Sequence, residues 1–275
     1  MIKKLATIFV LSVITLVPLH RSCAVEGSGL RGMTKQFRLG DVKLCITEAS
    51  PDGDYGLQFS RGEQVLAAGE CAFKTHEPEI FRNMPLPDCR TLMTYCFSGG
   101  AHCCTTLFIA TQCGPGCSLD MVDLAHAGGK AKLAHADGAL GKIIEVHDWQ
   151  FAYYETEDLQ LQLSFAASPA MTRLLVFDNG HWRPDRIGEF SRFYSRLLRQ
   201  TMREARLIGR KGDAELRASL AIKASYYSLM SGRPVEEAAE VLSRLFPVKW
   251  EPGSGKIMQD IHRAVSGFNP VEAIR

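Results

Sequence analysis

Leu92-Met93-Thr94-Tyr95-Cys96-Phe97, then Ser98-Gly99-Gly100-Ala101-His102, then Cys103-Cys104-Thr105-Thr106-Leu107-Phe108-Ile109, is the most informative segment of the chain. Its flanks are rich in β-branched and aromatic residues, and the glycines between them suit a short loop, so residues 91–111 read as a β-hairpin. Consecutive side chains on a strand point to opposite faces, so Cys103 and Cys104 cannot both aim at one partner layer. One of them is expected to bond Cys96 across the hairpin while the other reaches elsewhere in the fold. A strained bond between the two neighbours is the alternative.

Outward from the hairpin, short apolar runs broken by Gly, Pro, Asn and Asp continue the β character. Strands are expected over Gln36–Ile46, Tyr55–Phe59, Lys142–Val146 and Thr172–Phe177, the last followed by the turn Asp178-Asn179-Gly180. Leu159-Gln160-Leu161-Gln162-Leu163-Ser164-Phe165 alternates most clearly and predicts a half-buried strand. From Gly188 onward the pattern turns helical, with helices predicted over 189–210, 214–231 and 235–246 and a weaker one near 257–265. The fold class is α+β: a disulfide-rich antiparallel β domain over 25–187, followed by a small helical domain over 188–275.

Ser98-Gly99-Gly100-Ala101-His102-Cys103-Cys104 resembles a motif of exported bacterial proteins of unknown function, whose surrounding repeats are similar to the calcium-binding blades of FG-GAP or VCBS propellers. The likeness covers roughly residues 84–183 and implies a β-rich scaffold rather than an activity. Such repeats carry an acidic loop before each hairpin. Here Met84 to Cys89 stands at the first such place, and Asp137, Gly138 and Glu145 are what remains of the second, so the calcium this likeness implies has two carboxylates to hold it. Asp52, Asp54 and Glu63 fall at EF-hand-like spacing, but Gly56 and Leu57 break that pattern and a plain turn is expected.

The first 24 residues predict export. Lys3 and Lys4 precede the uncharged run Leu5 to Leu19, and Ser22-Cys23-Ala24 offers small residues for cleavage after Ala24. A helix over that run rises about 22 Å, short of the roughly 30 Å of a bilayer core, so a signal peptide (1–24) is expected rather than an anchor. Lipidation at Cys23 is disfavoured by His20-Arg21-Ser22 before it. No later stretch is long enough to span a membrane, and the mature chain is expected in the periplasm or exterior.

Cysteine usage agrees with that compartment. Cys45, Cys71, Cys89, Cys96, Cys103, Cys104, Cys113 and Cys117 all precede residue 188, an even set that reads as a disulfide framework with connectivity open. Cys113 and Cys117 have a zinc-like spacing without a second well-spaced pair. His102 beside Cys103 and Cys104 forms the candidate soft-metal or redox site, for copper or zinc, should those thiols stay reduced. No cofactor is otherwise expected. The chain carries no nucleophile elbow, no His-Glu-x-x-His and no phosphate-binding glycine loop, so nothing in it argues for catalysis.

Charge is divided unevenly. Residues 25–187 hold 14 basic and 20 acidic side chains, whereas 188–275 hold 15 and 10. Within the latter, Arg192, Arg196, Arg199, Arg203, Arg206 and Arg210 recur at spacings of 4, 3, 4, 3 and 4. On a helix they gather into one stripe opposite Phe190, Tyr194, Leu197, Ala205 and Ile208. That stripe is expected to be a solvated face, to dock on the acidic half, or to bind an anionic partner, a protein or a cell-envelope component. Nucleic acid is not expected. The function read from the sequence is non-catalytic binding or scaffolding outside the cytoplasm. The alternative is a periplasmic thiol-redox or metal-handling protein using His102, Cys103 and Cys104.

Overall fold

The computed structural model describes residues 34–48, 53–72, 77–99, 104–125, 131–136, 138–139, 141–157, 160–209, 212–247 and 254–274. Strands β1 (Thr34–Leu39), β2 (Val42–Glu48), β3 (Tyr55–Arg61) and β4 (Gln64–Cys71) form an antiparallel sheet in that order. Residues 36–46 are therefore two strands and not one. Gly40, at φ 59°, turns the chain so that Leu39 pairs Val42, a backbone conformation glycine adopts at little cost.

A second sheet contains β5 (Glu79–Arg82), β6 (Cys89–Phe97), β7 (Thr105–Cys113) and β8 (Gly116–Asp123). Its far edge is completed by β15 (Val271–Ile274), giving the order β15-β8-β7-β6-β5. The β6–β7 hairpin is present, registered Cys89 to Cys113 and Phe97 to Thr105. The third sheet has the order β14-β13-β10-β9, from β9 (Lys132–Ala134), β10 (Ile143–Asp148), β13 (Met171–Asp178) and β14 (His181–Pro184). The last two strands join through Asn179-Gly180.

In the chain, a two-stranded ribbon, β11 (Glu155–Thr156) and β12 (Leu161–Gln162), separates β10 from β13. The expected strand at 159–165 reduces to β12, followed by a 3₁₀ turn at Phe165–Ala167. Leu161 and Leu163 are buried all the same. Among the described residues four helices follow β14: α1 (Ser191–Ile208), α2 (Ala214–Met230), α3 (Val235–Leu245) and α4 (Ser254–Gly267). Asp213 caps α2 by accepting from the Glu215 and Leu216 amides, and Glu236 and Glu237 favour the start of α3.

Strand alternation stacks these elements into layers. Leu92, Phe108, Ala110 and Leu119 of the second sheet pack on Leu44, Ile46, Leu57 and Phe59 of the first, with Phe59 stacked on Phe108 at 5.3 Å. The intervening residues Met93, Leu107, Ile109 and Val122 face the other way and meet Ile144, Val146, Leu175 and Trp182 of the third sheet. Ile143, Leu174 and Val176, on that sheet's far side, join Phe193, Tyr194, Leu198 and Ile222 in the core beneath the helices. The core beneath the helices thus draws on residues from both sides of residue 188, where the composition changes.

Six of the seven described cysteines are disulfide-bonded. Cys96 bonds Cys71 and ties β6 to β4, while Cys89 bonds Cys113 across the β6–β7 hairpin. The expected bond from Cys96 to Cys103 or Cys104 does not form. Thr106 stands opposite Cys96, and Cys104 lies beyond the paired residues, where its carbonyl accepts from the Ser98 amide. Cys117 is a further correction, being a buried free thiol. The β7–β8 register sets it opposite Gln112, so it faces away from Cys113 and into the core between the first two sheets.

Candidate functional site

α1 owes its placement to one apolar face: Phe193, Tyr194, Leu198 and Thr201 are buried, and Phe190 is buried at its entry. On the opposite face Arg192, Arg196, Arg199, Arg203 and Arg206 are all exposed; Arg210 lies outside the described residues. Arg196 lies over the Phe193 ring at 5.2 Å. Arg196, Arg199, Arg203 and Arg206 form no ion pair among the described residues. The fold thus turns the arginine face outward instead of docking it on the acidic half.

That face is unfavourable for the helix that carries it. The first turn has no acidic residue and no side-chain cap, so Arg192 sits against the positive end of the helix dipole. Successive arginines are like-charge neighbours at i,i+3 or i,i+4, each pair costing roughly 0.2–0.5 kcal/mol. Glu204 is the sole acid on α1; it accepts from Gln200 at 2.9 Å and faces Lys223 of α2. It is not aligned to relieve the row.

The loop that carries the candidate metal or redox group is described only at its ends. His102 and Cys103 lie outside the described residues, and Cys104 is bridged, which leaves it no thiolate to offer a metal. Among the described residues no three His, Cys, Asp or Glu side chains converge. Asp137 and Asp52 also lie outside them. Asp54 precedes and Glu63 follows β3, so more than about 20 Å of extended strand separates their positions. Glu145 lies within β10, paired to Leu174 and Lys132.

Two buried polar clusters lie between the layers, and the sequence reading did not single them out. In the first, Arg173 of β13 donates to Asp185 at 2.9 Å and to the Tyr226 hydroxyl at 2.9 Å, and its plane rests 4.4 Å from the Phe268 ring. Tyr194 donates to the other Asp185 oxygen and Tyr226 to Asp148 at 2.6 Å. Burial pushes the Asp185 and Asp148 carboxyls above the ordinary carboxylate range, against the pull of Arg173 and these hydroxyls.

In the second cluster Asp120 of β8, fully buried, meets His181 Nδ1 at 2.7 Å and accepts from the Trp182 amide. The Trp182 ring donates to Thr111, so β14 is held to the second sheet by polar contacts. The available signal was a charge interrupting an apolar strand, as in Leu119-Asp120-Met121-Val122 and Thr172-Arg173-Leu174-Leu175. The first cluster is closed by its own members, and in the second Asp120 is buried while the His181 side chain is 42% exposed; the arginine row is exposed along the described length of α1.

Comparison with known proteins returns no matching family model, curated protein or solved structure. The likeness of residues 84–183 to calcium-bearing blades therefore gains no support, and function is argued from the arginine face itself.

Proposed function

We propose that the protein is an exported, non-catalytic binding protein that holds an anionic partner on the arginine face of α1. The observation that carries this reading is the exposed row from Arg192 to Arg206, in which Arg196, Arg199, Arg203 and Arg206 lack an ion-pair partner among the described residues. A surface row that only conferred solubility would intersperse both signs and gain stability from i,i+4 pairs. This row forgoes that gain, which fits selection for binding. Arginine's planar fork suits carboxylate, sulfate or phosphate oxygens.

Export is supported by residues 1–24 and by the oxidised cysteines, which persist in oxidising compartments. Among the described residues no helix is long and apolar enough to cross a membrane. The test uses the full chain and its Arg196→Gln/Arg199→Gln/Arg203→Gln variant on an immobilised polyanion at increasing salt. Binding that weakens with salt and is lost in the variant, with no fall in melting temperature, is the expected result. Equal retention of both proteins sinks the reading.

A further inference from the structure

Resting on that anion-binding reading, we infer that the partner is a linear acidic polysaccharide lying along α1 rather than the headgroups of a bilayer. The row is one arginine wide. From Arg192 to Arg206 it runs about 21 Å along the helix axis at 1.5 Å per residue, flanked by exposed Gln200 and half-buried Glu204 on one side and half-buried Ser195 on the other. A single file of cations matches an extended chain of repeating anions better than it matches a plane.

Bilayer binding by a helix uses an apolar face sunk among the acyl chains. The apolar face of α1 is already committed to the core through Phe193, Tyr194 and Leu198. The one strongly exposed apolar side chain on α1 is Leu207, near its end.

The same face is poorly suited to the other polyanions. Single-stranded nucleic acid is held by aromatic rings on which bases stack, and the ring nearest the row, Phe193, is buried under Arg196. A protein partner would want a buried aromatic or aliphatic anchor at the centre of the contact, and the middle of this row, around Arg199, has none. A carboxylated or sulfated glycan needs neither: its charges recur along a stiff chain, and each guanidinium can fork to one of them.

The experiment measures binding of the full chain to linear oligogalacturonates of increasing length, to phosphatidylglycerol vesicles and to free sulfate. Affinity should rise with oligomer length until the oligomer spans the row and then level off. The triple Gln variant should lose roughly 10-fold or more, while vesicles and sulfate bind more weakly than the spanning oligomer. Arginine-dependent binding to vesicles as tight as to oligomers, or no dependence on length, overturns the glycan assignment and leaves the anion-binding reading standing. Absence of arginine-dependent binding to all three probes overturns both.

Discussion

Arg173 and Asp185 meet at 2.9 Å with side-chain exposures of 2% and 0%, a charge pair closed off from water. The guanidinium also reaches the Tyr226 hydroxyl and the Val265 carbonyl, so one side chain joins β13, the chain after β14, α2 and α4. Removing one partner of such a pair strands the other charge. Arg173→Met should therefore cost about 3–5 kcal/mol, read as a lowered urea midpoint. A loss below about 1 kcal/mol would show that the pair contributes little to holding helices on the third sheet.

Asp148 supplies a pH test. Its folded carboxyl titrates above the ordinary value of 3.8 because it is buried, despite the bond from Tyr226. The folded chain consequently holds this proton more tightly than the unfolded one. Its contribution to stability is largest at or below pH 4 and falls as pH rises through the raised value. The Asp148→Asn variant carries an amide there, which does not titrate. The stability of the natural protein relative to that variant should be greater at pH 4 than at pH 7 in urea titrations; an equal difference would show an unshifted carboxyl.

The disulfides should act on a comparable scale. Cys71–Cys96 and Cys89–Cys113 span 25 and 24 residues, for which loop-closure entropy gives about 3.5 kcal/mol each. Cys71→Ala/Cys96→Ala should lower the urea midpoint by about that much and loosen the first sheet from the second. Retained stability in the double variant would mean that the Phe59–Phe108 packing suffices alone.

Cys117 should be chemically silent in the native state. Burial pushes its thiol up to about 12, and the thiolate is the reactive form. Iodoacetamide should leave it unmodified until urea unfolds the chain, as peptide mass mapping would read. Native labelling at this residue would place it in a looser environment.

Arg199→Glu should move stability and binding in opposite directions. The change converts two like-charge contacts, with Arg196 and Arg203, into opposite-charge ones and should stabilise α1 by roughly 0.8–2 kcal/mol. Polyanion binding should fall at the same time. A variant with lower melting temperature would show that the row is accommodated better than its local electrostatics suggest.

Much of this architecture could be read locally. α1 to α3 were legible because their helical spacing, and for α2 and α3 their acidic first turns, lie within a few residues of the element they define, and the arginine row is visible for the same reason. The β6–β7 hairpin was legible within about two residues at its ends. What escaped depends on distant partners. β15 exists because Val271 pairs Val122, a relation no local pattern encodes. The break at Gly40 was hidden within one apolar run, and Gln160–Phe165 keeps its alternation of burial around Leu161 and Leu163 while pairing for only two residues. Cysteine parity said which side chains point apart, but the choice of Cys71 for Cys96 follows from how the first two sheets stack.

The return of β15 to β8 has a consequence for the order of assembly. Strands β5 to β8 and helices α1 to α4 all precede Val271 in the chain, so until it pairs the outer side of β8 stays unzipped, with backbone groups open to any passing extended chain. Only when residues 271–274 arrive, steered by the Asp123 amide donating to the Pro270 carbonyl at 2.9 Å, is that border sealed. β15 thus acts as a clasp on that edge.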